Sequence, residues 1–451
     1  MKPEDRLLAH LLSTPAHAVP AESIAQLRVL LSDVLAVMIA GLRAPVQQAV
    51  AAAQSRWSAG PPSPFAPAIP AAPTELAFAL ACAIHNQEFD PVHEEAVVHP
   101  LAVLGGALLA ELANRKEPLP GQAFATALAL ALDVAAALGR AATQPMRFFR
   151  PAMASALAAT LAIARLRRFD EDTARRALGF ALCQLSGTLQ AHVEGTPALA
   201  LQMGFAAAAA RRAADLAEAG SEGPREALSG AFGYFAIYEP EADLSVFEAL
   251  APGSAALEIS LKPWPTGRAA HATLDALSSI LARGETGARI LAVEVHTPPL
   301  VARLVGRPWR PGMSVNYARL CLPYLVHRLL SDGKLDLESF APAALAEPPP
   351  LRTRVEVQAD PAADPNALAP QRVHVEYTDG RRETILIEEA LGHPKRPLSG
   401  RERAAKVRHC LCFAGLPSTA ETALYRAVET LIGGDDARLA LSEIPWPKPA
   451  P

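Results

Sequence analysis

Between residues 85 and 100 the chain reads HNQEFDPVHEEAVVHP, which sets His85, His93 and His99 beside Glu88, Asp90, Glu94 and Glu95. Imidazoles exchange protons near neutral pH, and carboxylates can orient them or complete a metal-ligand set. Metal ligation is the weaker arrangement. The histidines are eight and six residues apart, not the four that places two imidazoles on one helix face. A loop folding His93, Glu94, Glu95 and His99 around one ion is the competing arrangement, which the spacing disfavours. The stretch therefore reads as part acid–base site and part loop, with Glu94 and Glu95 as solvated carboxylates.

The flanking sequence must hold these groups in place, and it is helical. Apolar residues make up 51% of the 451-residue chain and charged residues 20%, enough for a large core. To about residue 250, segments such as MASALAATLAIARL are Ala-rich and apolar on nearly all sides, as in the interior of a bundle. Asp170 stands as the N-cap of a helix beginning EDTARR.

After SLKPWPTGRAAH the pattern changes. Residues 288–296 and 352–358 alternate like strands, and 371–389 form a hairpin with Asp379-Gly380 at its turn. VNYARLCLPYLVHRLLSDG between them has helical spacing, and APAALAEPPPLR is a loop. A capping box of Ser418 and Glu421 is expected to open the late helix AETALYRAVETLIGG. The expected fold is mainly α: a large all-helical domain (1–267), an inserted smaller α+β lid domain (268–398), and C-terminal helices (399–451) returning to the first.

Composition excludes several classes. A net charge of −4 with no long basic run argues against nucleic-acid binding. Arg28, Asp33 and Asp133 interrupt the longest apolar segments, so no membrane span is expected. The N-terminus lacks a signal-peptide apolar run. Five scattered cysteines fit reduced thiols in a cytoplasmic protein. Cys410 and Cys412 are expected to be packed in the interior.

Five segments in order carry a family likeness: LSDVLAVMIAGL, HNQEFDPVHEEAVVHPLAVLGGALLAELA, SGTLQAHVEG, LKPWPTGRAAHATLDA and CLPYLVHRLLSDGKLDLESF. Over roughly residues 20–435 the chain resembles the MmgE/PrpD family, which includes 2-methylcitrate dehydratase, cis-aconitate decarboxylase and iminodisuccinate epimerase. The resemblance implies a helical domain with a smaller lid, a homodimer, and no metal or organic cofactor. It also implies catalytic positions at Glu88, His99, His271 and Tyr324. Three other family positions differ. An Asp-Thr pair reads Pro91-Val92, an FHPT motif reads Phe149-Arg150-Pro151-Ala152, and Leu199 stands where a catalytic lysine is expected.

The implied chemistry is a metal-independent lyase reaction, dehydration or decarboxylation, on a small di- or tricarboxylate. His99 and His271 would exchange the protons, while Arg150 and Lys262 would hold substrate carboxylates. His192 and Glu194 are expected to support the site without taking part. Two readings compete: a catalytically impaired member retained for ligand binding or assembly, and an epimerase or isomerase of a small dicarboxylate.

Overall fold

The computed structural model describes residues 1–57, 72–346 and 353–447. The protein is mainly α, with helix over 58% and strand over 8% of the chain. Six long helices form the body: Ala21–Gly41, Pro73–His85, Pro100–Asn114, Gly121–Arg140, Arg150–Leu166 and Ala198–Glu218. Proline stands in the first turn of three of them, where its missing N–H costs nothing. Small residues let these helices approach closely. A Cβ on Gly106 would lie 2.6 Å from the Ala81 backbone nitrogen, so the 73–85 and 100–114 helices pack backbone to backbone there.

One hydrophobic core runs from Leu7 to Leu261 and resumes between Leu398 and Ile444, with Leu320 and Leu337 of the intervening stretch joining it. The Gly400–Phe413 and Ala420–Gly433 helices accordingly pack on Ala21–Gly41. By length and composition, Ala21–Gly41 and Gly121–Arg140 could cross a bilayer, but 72% and 89% of their apolar windows are buried in this core.

A second core surrounds a four-stranded sheet. In chain order the strands are β1 (Val92–His93) and β2 (Ile259–Ser260), which pair with each other, then β3 (Ile290–Thr297), β4 (Arg354–Ala359), β5 (Gln371–Tyr377) and β6 (Arg382–Ile387). The sheet order is β4-β3-β5-β6, with β3 parallel to β4 and antiparallel to β5. Val293, Val295, Val373 and Val375 face the His271–Ala282 and Leu322–Asp332 helices. Between β5 and β6, Gly380 adopts φ +85°, which only glycine takes without strain.

Several local expectations are corrected. The late capping box is Ser399 with Glu402, whose side chains and backbone N–H groups bond reciprocally at the start of Gly400–Phe413. Ser418 and Glu421 form none, because the N-cap of Ala420–Gly433 is Thr419 and Glu421 falls at the second helical position rather than the third. Cys410 is buried but Cys412 is exposed, since two residues along a helix turn the side chain to the opposite side. The segment around Leu320 is two helices, Val315–Ala318 and Leu322–Asp332, separated at Arg319–Cys321. Half of the expected Pro-rich loop at 341–352 is described, and there Pro342–Ala346 forms a short helix; residues 347–352 lie outside the described residues.

Candidate active site

The segment from Gln87 to Asp90 is tied down from three parts of the chain. Lys406, on the Gly400–Phe413 helix, bonds Asp33 at 2.7 Å and the Phe89 carbonyl at 2.8 Å, with its ammonium 4.0 Å from the Phe89 ring centre. From the sheet-containing unit, Arg319 donates to the Gln87 carbonyl at 2.6 Å and the Pro265 carbonyl at 2.8 Å. Pairing of β1 with β2 then brings Lys262, two residues beyond β2, under the same loop. Its Nζ lies 3.0 Å from the Glu88 carbonyl, 3.3 Å from Glu88 Oε2 and 3.8 Å from Asp90 Oδ1. Glu88 is held at φ +51°, a conformation that persists in a non-glycine residue only when its surroundings impose it.

Asp90, fully buried, is the centre of the cluster. Its Oδ2 lies 3.1 Å from His85 Nδ1 and 3.0 Å from His99 Nδ1. The attraction of His85, His99 and Lys262 outweighs burial and holds the Asp90 carboxyl well below its usual range. It is therefore an acceptor only, and both Nδ1 atoms must donate to it. Each imidazole keeps Nε2 for other work.

The two histidines differ in charge preference. Burial opposes charge on both. For His85, Asp90 and Glu88 prevail over burial and raise the pKa above the usual 6.5. For His99, burial wins against Asp90, Lys262 adds to it, and the pKa falls. Secondary structure points the same way. His85 is the last residue of the 73–85 helix, where the macrodipole favours a cation. His99 is the N-cap of the 100–114 helix, where the dipole disfavours one. Such a divergence distinguishes an acid from a base.

His85, Glu88 and His99 line a narrow cavity of about 60 Å³ between the helical body and the sheet-containing unit, together with His192 and Arg268. Its other walls include Val92, Phe149, Leu199 and Leu304. A larger cleft of about 270 Å³ between the Ala21–Gly41, 400–413 and 420–433 helices contains no imidazole, and its Arg28 and Glu429 pair with each other. Of these two, the narrow cavity is the one lined by imidazoles.

Of the six expected site residues, only Glu88 and His99 reach the cavity wall. His271 is buried behind Arg268, whose Nη1 lies 3.2 Å from its Nδ1. Burial together with Arg268 pushes its pKa well down, leaving a neutral ring. Tyr324 belongs to the second core, where its hydroxyl donates to the Ser339 carbonyl at 2.6 Å and accepts from Arg328. Arg150 is buried with Nε 3.0 Å from Glu239, between the wall residues Phe149 and Pro151. Lys262 is enclosed as the counter-ion of Glu88 and Asp90.

Glu94 also departs from expectation. It is partly buried and bonds Arg268 Nε at 2.9 Å, whereas Glu95 is exposed. His93 is buried in β1 against Glu258, and burial with Arg140 lowers its pKa to about 4. The residues given no role from sequence are His85 and Asp90, whereas His192, expected to support the site, does line the cavity. The spacing of His85, Asp90 and His99 was visible, but the two-way clamp depends on the turn at Glu88.

His85, Asp90 and His99 are also the one described cluster whose ligand atoms all come within 4.8 Å of each other, close enough to hold a metal ion. The donor set fits a cation poorly. Lys262 already neutralises this pocket, and both Nδ1 atoms would have to give up their protons.

These features define a mainly helical protein with a buried His–Asp–His cluster at the seam with a smaller sheet-containing unit. The MmgE/PrpD N-terminal domain profile matches residues 5–246 and the C-terminal domain profile matches residues 264–428, so the chain belongs to the MmgE/PrpD family. Members of that family are typically dehydratases or related enzymes. No curated protein gives a significant match to the chain.

Proposed function

We propose that this protein is a metal-independent lyase acting on a small di- or tricarboxylate, with His99 as general base and His85 as general acid. The supporting observation is the single Asp90 carboxylate that clamps both imidazoles through Nδ1 while their surroundings drive their pKa values apart. His99 Nε2 takes the proton from the carbon next to a substrate carboxylate. In a dehydration, His85 then protonates the departing hydroxyl, which leaves as water as the double bond forms. In a decarboxylation no carbon proton is taken first: the C–C bond to the carboxylate breaks, its electron pair stays on the substrate carbon as carbon dioxide departs, and His85 protonates that carbon.

The geometry favours elimination over epimerisation. Two-base epimerisation needs acid and base on opposite faces of one carbon. The His85 and His99 rings instead meet edge to face with centroids 4.9 Å apart, on one wall. The impaired-member reading draws on Val92 and Leu199, which put apolar surface in the cavity where the resemblance implies a hydroxyl and an amine. The decisive test is NMR-detected deuterium exchange and turnover with citrate, 2-methylcitrate, cis-aconitate and iminosuccinate. Exchange that disappears in His99→Gln supports the lyase reading. No exchange with any of the four establishes the impaired one.

A further inference from the structure

Four helices begin at the wall of the narrow cavity. His99 and Phe149 are the N-caps of the 100–114 and 150–166 helices, and Leu199 lies in the first turn of Ala198–Glu218. The fourth starts as a 3-10 turn, Arg268–Ala270, that runs directly into His271–Ala282. Its N-cap Gly267 lines the cavity together with Arg268 and Ala269. Each N-terminus carries partial positive charge, so their meeting favours an anion between them.

The first three offer little backbone for such an anion to bond. Pro100 and Pro151 have no N–H, Arg150 donates to the Phe148 carbonyl at 2.8 Å, and Leu199 donates to the Thr196 carbonyl at 3.3 Å. The fourth is different. Gly267 has no side chain to cap the helix, and a Cβ in its place would lie 2.6 Å from Leu320 Cδ2. Ala270 N–H bonds back to the Gly267 carbonyl at 3.0 Å, but among the described residues nothing accepts from the N–H groups of Arg268 and Ala269. Both residues are buried, where an unmet backbone donor is costly. The Arg268 side chain is turned away to Glu94 and to the Ala390 and Leu391 carbonyls. A separate group in the same cavity also lacks a partner. His85 is buried with Nδ1 held by Asp90, and its Nε2 makes no hydrogen bond. Glu88, the carboxylate on the wall, is bonded to Lys262 at 3.3 Å and stands 3.7 Å from that Nε2.

We propose that a carboxylate of the bound ligand is the missing cap of the helix that starts at Arg268. Its oxygens accept from the N–H groups of Arg268 and Ala269, while the rest of the ligand faces His85 Nε2. A cavity of about 60 Å³ admits a carboxylate and a short stem, so the ligand is a small carboxylate. This inference deepens the lyase reading by locating the substrate's carboxylate, and it rests on that reading only for what happens at His85.

The test is titration of the isotope-labelled full-length protein at pH 7 with acetate, citrate and inorganic phosphate, followed by calorimetry and by the NMR amide signals of Arg268 and Ala269. Acetate and citrate should bind and move both amide protons downfield. Ala269→Asp places a carboxylate at the helix start, where it acts as an internal cap, and it should weaken citrate binding by roughly tenfold or more. Ala269→Asn, equal in size but neutral, should weaken it less. If Ala269→Asp fails to fold, the wild-type amide signals decide the matter alone. Binding that leaves both amides unmoved, or wild-type affinity in Ala269→Asp, overturns the cap. Equal loss in both variants, no binding of either carboxylate, or phosphate binding more tightly than citrate also overturns it. Capped binding in a protein that exchanges no substrate proton keeps the cap and discards the lyase. Exchange by Ala269→Asp with unchanged KM does the reverse.

Discussion

His85 and His99 hydrogen-bond to the same carboxylate oxygen, Asp90 Oδ2, at 3.1 and 3.0 Å, and they approach it from opposite ends of two different helices. The shared oxygen fixes both tautomers at once. The helix ends, worth about 0.3–1 kcal/mol each near a terminus, bias one ring toward charge and the other away from it.

Removing the shared charge should therefore disable both rings. Asp90→Asn keeps the shape but replaces the acceptor of two N–H bonds with a neutral amide, and turnover should fall by about 10²–10⁴-fold. His99→Gln should abolish proton exchange from substrate carbon, while His85→Gln should allow exchange but block loss of water. Steady-state rates and NMR exchange, measured on the same preparations, separate the two roles. Equal loss of exchange in both variants would contradict the assignment.

The pH profile should be bell-shaped around the ordinary imidazole value of 6.5. His99 must be neutral to act, and its lowered pKa puts the acid limb below 6.5. His85 must be charged, and its raised pKa puts the alkaline limb above 6.5. Residual activity of Asp90→Asn should show the alkaline limb moved to lower pH, because the charge that sustains His85⁺ is gone. A profile of kcat/KM from pH 5 to 9 checks both limbs.

Lys262→Met should cost stability as well as activity. Lys262 is fully buried and serves both Glu88 and Asp90, so its loss leaves carboxylates in the interior with less compensation. Breaking a buried pair in this way costs about 3–5 kcal/mol. Urea unfolding should show a lowered midpoint with an unchanged slope. A midpoint equal to wild type would mean that the two histidines alone stabilise the anions.

Activity should survive exhaustive chelation, since the proposed steps use only imidazole and carboxylate. Added zinc should inhibit instead, by competing with the Nδ1 protons for His85, Asp90 and His99. Zinc inhibition should be absent in Asp90→Asn. Chelation that removes activity, with zinc restoring it, would assign the cluster a metal role.

Much of the architecture was legible along the chain because it depends on local periodicity. The buried Ala-rich helices, the Asp170 cap and the Asp379-Gly380 hairpin follow from spacing and turn chemistry that act over a few residues. The capping box expected at Ser418 for the late helix is absent, and one forms instead on the preceding helix at Ser399 and Glu402, which offers the same pattern. They differ in where the helix begins: Ser399 is the N-cap of its helix, whereas Thr419, not Ser418, is the N-cap of the next.

The sequence by itself determined that histidines and carboxylates crowd into one stretch between helices, and that the fold is mainly α. Tertiary structure decided which of them meet. His271, Tyr324 and Lys262 carry suitable groups, but Arg268, Ser339 and the Glu88–Asp90 pair engage them away from the cavity wall. His85 becomes part of the site because the turn at Glu88 brings Asp90 back onto it, and Lys262, from 174 residues further along, supplies the charge that keeps this turn anionic and buried. The physical reason is range. Helix and turn preferences act between near neighbours, whereas the protonation of a buried imidazole depends on every charge folded around it.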